Sequence, residues 1–503
     1  MKHTVNKLFF LFLIIASFSF AQQKDSLSEK KSVQNLNPLV ELRDQLDDYF
    51  NDPNFSSAIW GVMVKSLKTG EVIYKRNADK LFSPASNMKL FTGAAALLLL
   101  GPDFVYDTNF YVNGDLEKGV LKGDLIIQGS GDPTISNRFY EGTQTKIFED
   151  WADTIKSRGI WIIKGDIYGD DSNFDNIGLG NGWDWDYESS WFAAPSGALS
   201  FNDNSVEIKI DPGEVNFPSK ISLIPYTKYI TLNPKVSTVD ENAESSVSIV
   251  RERGTNQISV TGIIKKDSQP IAEHVSISNP TMFFLTVLRE VFERKGIVIQ
   301  GRIGTLDSSE KNIIPDDLTH IYTHRSVPLK RIIKELNKNS KNFYAEQLLK
   351  TIGLEIYNYG TVENGVKACK EVFNSMGINS DNMVMADGSG LSHLDLVTPR
   401  QIVNLLSFMY KSDEFSKFYE SLPIGGVDGT LINRMKKSAA ENNVRAKAGY
   451  NNNVSSLSGY LKTISGEPLV FSIIVNNFLA PATLANYIQD NVCQRLVNFV
   501  RNQ

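Results

Sequence analysis

The stretch FSPASNMKLFTGAAALLLLG, residues 82–101, sets a Pro-Ala-Ser turn ahead of a helix that is apolar on every side. A helix without a polar face has no side to offer water, so other elements must enclose it. Every residue from Ala94 to Leu100 is Ala or Leu, and Gly101 supplies a C-terminal stop. Lys89 stands at the mouth of that helix, three residues after Ser86. Desolvating an ammonium is costly and drives its pKa down, so an amine tuned to act on the neighbouring hydroxyl is one reason to put it there.

Enclosing such a helix takes a large chain, and 503 residues that are 42% hydrophobic and 22% charged suffice for two or three domains. Ahead of Ser86, IWGVMVKSLKTGEVIYKR alternates around Lys68-Thr69-Gly70 and predicts a β-hairpin. Residues 102–312 carry many short strand-like runs between Gly, Asp and Asn turns, interrupted by one helix, PTMFFLTVLREVFERKG, with Phe284, Leu288 and Val291 on one face. Amphipathic helices return after Pro315, then two strands, SLSGYLKT and PLVFSIIVNN, and a last helix. Strands at both ends with helices between predict an α/β (α+β) domain, one sheet assembled from both chain ends and covered by helices. Its parts are residues 38–101 and 313–503, and the β-rich region 102–312 is an insertion.

The first 21 residues read as a secretory signal peptide, with Lys2 and Lys7 before an apolar run too short to span a bilayer and Ser-Phe-Ala at the end. Residues 22–37 read as a polar, disordered leader. The expected location is therefore the periplasm, with at most peripheral membrane contact. A net charge of -5 without a basic block argues against nucleic-acid binding. Cys369 and Cys493 are expected as buried free thiols. Five scattered histidines give no metal-ligand spacing; His324 and His393 fit a Ser-His-Asp triad only on paper, and a loop or surface position is expected for each.

Ser86-Asn87-Met88-Lys89 puts an amine and a hydroxyl at i and i+3, on one helix face, at an N-terminus whose N–H groups suit a developing oxyanion. The same spacing occurs at Ser28–Lys31 and Ser308–Lys311, in polar stretches with no buried helix behind them. Ser340-Lys341-Asn342 falls where an amphipathic helix breaks, so its polar groups either project into a cleft or cap a turn. Ser380-Asp381-Asn382 is a rival string in a loop. Lys447-Ala448-Gly449 reads as an edge strand whose lysine, aimed at Ser86, would lower the pKa of Lys89 by like-charge repulsion.

Together these strings resemble the penicillin-recognising serine D,D-peptidases, marked by Ser-x-x-Lys, Ser-x-Asn and Lys-Thr-Gly. More specifically the chain is similar to class C low-molecular-mass penicillin-binding proteins, D-alanyl-D-alanine carboxypeptidases/endopeptidases with a large insertion between the first and second motifs. GDLIIQGSGDPTIS, GDIYGDDSNFD, FAAPSGALSFNDN, ADGSGLS and LPIGGVDGTL, in that order, look like the family's as well. The resemblance implies a transpeptidase-like fold, peptidoglycan stem peptides as substrates, β-lactams as covalent inhibitors, and no cofactor or metal. It implies Ser86 as nucleophile, Lys89 as its base, Ser340 as proton shuttle to the leaving amine and Lys447 as the electrostatic partner. Asn342 would bind the substrate's peptide carbonyl, and the N–H groups of Ser86 and Tyr450 would form the oxyanion hole, with Gly449 leaving room for substrate. Ala448 departs from the family's Thr or Ser, a hydroxyl that helps hold the substrate carboxylate; Arg445, Ser455 or Ser456 are the candidate replacements. The alternatives are a peptidoglycan-binding or scaffolding relative with turnover lost through Ala448, and a β-lactamase.

Overall fold

Because the apolar helix must be enclosed, the chain builds outward from it. The computed structural model describes residues 37–307 and 317–501. The expected signal peptide, nearly all of the expected leader, both decoy Ser-x-x-Lys strings and the expected boundary at 312 lie outside the described residues.

Pro38–Phe50 (α1) leads to a hairpin of Ile59–Ser66 (β1) and Val72–Arg76 (β2). Lys68-Thr69-Gly70 is its turn: Gly70 adopts φ +80° and its N–H donates to the Ser66 carbonyl at 2.9 Å. The central helix is Met88–Leu100 (α2), ended by Gly101 at φ +84°. After the insertion come Leu329–Lys338 (α3), Asn342–Tyr357 (α4), Val362–Ser375 (α5) and Pro399–Met409 (α6). The chain closes with Arg445–Asn451 (β3), Val454–Lys462 (β4), Pro468–Asn476 (β5) and Ala482–Val497 (α7).

The five strands form one sheet in the order β3-β4-β5-β1-β2. β1 and β5 are antiparallel, from Ile59 opposite Asn476 to Ser66 opposite Leu469, so the two chain ends hydrogen-bond directly. Alternation divides the strand between two cores: Val62 and Val64 pack with α1 and α7, whereas Met63 faces α2. Residues 88–97 are all buried, among Ile333 and Leu336 of α3, Leu348 of α4 and Phe373 of α5. Each large apolar side chain enclosed there contributes roughly 1.5–3 kcal/mol. Leu98, Leu99 and Leu100 are only partly buried, so the helix is enclosed for most of its length and not to its end.

Six strands of the inserted region form a seven-stranded sheet together with Thr319–Arg325, which pairs with Asp107–Glu117, so the insertion runs past the expected boundary at 312; two three-stranded sheets and a core of their own complete it. It carries two long helices, Lys146–Ser157 and Pro280–Arg294, where one is expected from sequence. The missed helix buries Ile147, Phe148, Trp151, Ala152 and Ile155, an i, i+4, i+8 stripe hidden among turn residues. His324 also departs from expectation: it is buried in the strand Thr319–Arg325, with Nε2 3.0 Å from the Tyr140 hydroxyl, and burial lowers its pKa to about 4. His393 is exposed beside Asp184 at 3.1 Å. Cys369 and Cys493 are free and buried, and burial pushes both thiols up.

Candidate active site

The nucleophile candidate sits on a short turn, Ala85–Asn87, that feeds α2. Ala85 takes φ +46°, a left-handed conformation that costs a residue bearing a Cβ roughly 1 kcal/mol or more, so its surroundings must hold it. Gly390 packs so closely that a Cβ there would meet the Ala85 carbonyl oxygen at 1.8 Å. The Asn87 amide donates to the Lys447 carbonyl at 3.0 Å and to Ser456 Oγ at 2.7 Å, and Ser456 Oγ donates to the Pro84 carbonyl at 2.7 Å. Asn87, one of the two unspecified positions of Ser-x-x-Lys, thus ties the turn to β3 and β4. Sequence reasoning missed it. Ser456 is spent on this tie, and Ser455 accepts from Gln489 Nε2 at 3.2 Å. Both are buried, so neither replaces the hydroxyl absent at Ala448.

Lys89 is fully buried, and its Nζ reaches three acceptors: Ser86 Oγ at 3.0 Å, Asn342 Oδ1 at 2.7 Å and the Ser389 carbonyl at 2.6 Å. As an ammonium it donates to all three. As a free amine it keeps two donors for the carbonyl oxygens and turns its lone pair on the Ser86 hydroxyl, the arrangement a base needs. Burial lowers its pKa to about 8, against the opposing pull of Asp387, Glu346 and Asp395. Like-charge repulsion, expected to lower Lys89, falls on its partner instead. Burial first and Lys89 second hold Lys447 well below an ordinary lysine.

Ser340 lies between α3 and α4 at φ +54°, and its Oγ accepts from Lys447 Nζ at 2.8 Å. Lys447 also donates to the Ala448 carbonyl at 2.6 Å. Asn342 accepts from Lys89 through Oδ1 and donates through Nδ2 to the Phe192 carbonyl of the inserted region at 2.8 Å. Ser86, Ser340, Asn342 and Tyr450 line one cavity of about 440 Å³, walled by Tyr187 and Trp191 from the insertion. β3 is the sheet's edge strand, and Gly449 lies so near the nucleophile turn that a Cβ there would be 2.8 Å from the Ser86 nitrogen. Arg445 does not line this cavity: its guanidinium sits 4.7 Å from the centre of the Tyr419 ring, which gives the cation a partner away from the cleft.

Asp387 also escaped sequence reasoning. Its carboxylate accepts the N–H groups of Ser389, Gly390 and Ser392 and Nε1–H of Trp183, so it shapes the loop that presents the Ser389 carbonyl to Lys89. The run of Gly and Ser after an Asp in ADGSGLS is the local signal for such a folded loop. Among the described residues no group of three or more His, Cys, Asp or Glu is placed to hold a metal ion.

The sequence profile of the D-Ala-D-Ala carboxypeptidase 3 (S13) family matches residues 42–499. The D-alanyl-D-alanine carboxypeptidase of Actinomadura sp. (strain R39) is 32% identical over 480 residues, 92% of this chain and 86% of that protein. D-alanyl-D-alanine carboxypeptidase DacB of Haemophilus influenzae is 27% identical over 426 residues, 83% of this chain and 85% of that protein. The crystal structure of penicillin-binding protein 4 (dacB) from Haemophilus influenzae superposes with a TM-score of 0.78 at 25% identity, covering 90% of this chain and 99% of that one.

Proposed function

The chain belongs to the D-Ala-D-Ala carboxypeptidase 3 (S13) family, and from that premise we propose that Ser86 is the nucleophile through which it opens D-alanyl-D-alanine bonds of peptidoglycan stem peptides. It is a serine D,D-peptidase of the penicillin-recognising fold, and β-lactams are its expected covalent inhibitors. Lys89 takes the Ser86 proton as Oγ bonds to the D-alanyl carbonyl carbon. The carbonyl oxygen is received by the N–H groups of Ser86 and Tyr450 beside the edge strand. Ser340, held by Lys447, passes a proton to the departing amine, and water then releases the acyl group from Ser86. What supports these roles is one observation: Ser86 and Ser340 line a single cavity, and each hydroxyl is within hydrogen-bond distance of a buried lysine amine, Lys89 and Lys447 respectively.

The substrate lies in the cell wall, which fits the export expected from residues 1–21; among the described residues no helix is long and apolar enough to cross a membrane. Incubating the purified protein with isolated cell-wall fragments tests the reading by mass analysis. Loss of terminal D-alanine, or of cross-links, is the expected result. Labelling by a fluorescent penicillin without any release of D-alanine or opening of cross-links would make the chain a binding protein instead.

Ala448 lacks the hydroxyl that would hold the substrate carboxylate, and the candidate replacements Arg445, Ser455 and Ser456 are engaged elsewhere. A restored hydrogen bond to a charged group is worth about 1.5 kcal/mol or more. Ala448→Thr should therefore raise kcat/KM about tenfold on a D-Ala-D-Ala peptide, measured by D-alanine release.

A further inference from the structure

Glu346 lies four residues past Asn342, one turn along α4, and is 3% exposed. Its Oε2 accepts the Gly388 N–H at 3.1 Å, and the Ser389 side chain also bears on the carboxyl. Gly388 and Ser389 belong to the loop that seats the base: the Gly388 carbonyl accepts from Thr92 Oγ1 at 2.7 Å, and the Ser389 carbonyl accepts from Lys89 Nζ. A buried carboxyl group on α4 thus braces this loop, which α2 also holds through Thr92 and Lys89. None of the three motifs accounts for it.

The charged groups around it are few. Lys89 faces it from α2 and Asp387 from the loop. Asp395, farther along that loop, accepts the N–H groups of Ala386 and Asp387; burial and Asp387 hold its carboxyl well above the usual range, which favours the neutral acid. Lys447 stands beyond Lys89, on β3.

We propose that Glu346 is a positioning residue for the acylation step: through Gly388 and Ser389 it aims the amine of Lys89 at Ser86, and through its charge it sets the pH at which that amine becomes a free base. Burial first, then Asp387, raises the Glu346 carboxyl well above the usual carboxylate range, while burial brings Lys89 down. An ionised Glu346 stabilises the ammonium and a neutral one does not, so the protonation of the two groups is linked. The inference rests on Lys89 acting as the base for Ser86.

The test is the pH dependence of acylation by a fluorescent penicillin in the wild type and in Glu346→Gln. Glutamine keeps an oxygen for the Gly388 N–H and removes the charge. Without that charge the ammonium is less stable, so the midpoint of the acidic limb should move to lower pH by about one unit. An unmoved midpoint in a folded variant overturns the proposal. Glu346→Asp restores the charge and should return the midpoint toward the wild-type position, a rescue that a purely structural carboxyl would not give. Should Glu346→Gln fail to fold, infrared titration of wild-type protein carrying 13C-labelled glutamate decides. A glutamate carboxyl that loses its proton over the interval in which acylation rises supports the proposal; glutamates ionising only in the ordinary carboxylate range overturn it. A wild type that is not acylated at all would sink the proposed function itself, so the two failures are distinguishable.

Discussion

Ser86→Ala is expected to abolish covalent labelling by a fluorescent penicillin and release of D-alanine, with folding stability unchanged within about 0.5 kcal/mol. The effect is all or none because labelling requires a bond to Oγ, and the chain offers no substitute in the same place. The other serine lining the cavity, Ser340, has its Oγ engaged by Lys447 and belongs to the turn between α3 and α4, away from the N-terminus of α2. Stability should hold because Ser86 Oγ contributes only its link to Lys89, whose Nζ keeps Asn342 and Ser389 as acceptors. The turn itself is fixed by Asn87 and Ser456, which the substitution leaves alone. Labelling measured on a denaturing gel, with a thermal melt of the same sample, checks both halves. Persistent labelling would remove Ser86 from its proposed role.

The parts of this site that were legible in the sequence are those written locally. An all-apolar run announced a central helix, a break in amphipathic periodicity announced the turn at Ser340, and strand patterns at both chain ends announced a shared sheet. What escaped are contacts made between segments hundreds of residues apart. Nothing near Asn87 marks Ser456, and nothing near Glu346 marks Gly388, because such pairs leave no period and no spacing. Electrostatics escaped for the same reason: both lysines are fully buried, and which yields to the other depends on the carboxyl groups of Asp387, Glu346 and Asp395 beside Lys89, which come from distant segments. The helix Lys146–Ser157 was a different failure. Its apolar stripe was present, but the surrounding Gly, Asn and Asp residues favoured a strand-and-turn reading of the whole region.

Lys89→Met should lower the acylation rate by about 10³–10⁴-fold, the upper range for removing a general base. At pH 7 a lysine titrating near 8 is a free base in about one molecule in ten, against about one in three thousand at its ordinary value, so burial supplies much of the catalytic population. That burial has a cost. Below pH 8 the ammonium is enclosed in the folded state and hydrated in the unfolded one, a penalty of roughly 3 kcal/mol. Methionine removes the penalty but leaves the Asn342 and Ser389 oxygens without their donor, a loss of about 1–3 kcal/mol each. The two effects oppose each other at neutral pH, so the informative quantity is their pH dependence. Between pH 8 and 10.5 the folded wild type has released its proton and the unfolded chain still holds one, so wild-type stability rises with pH across that interval. The contribution is fully present above 10.5 and is lost as pH falls through 8. Lys89→Met has no such group and should lack this rise, so the stability of the wild type relative to the variant should increase between pH 8 and 10.5 in denaturant unfolding. A constant difference across that interval would mean that Lys89 titrates like an exposed lysine, and the free base proposed for Ser86 would then be missing at neutral pH.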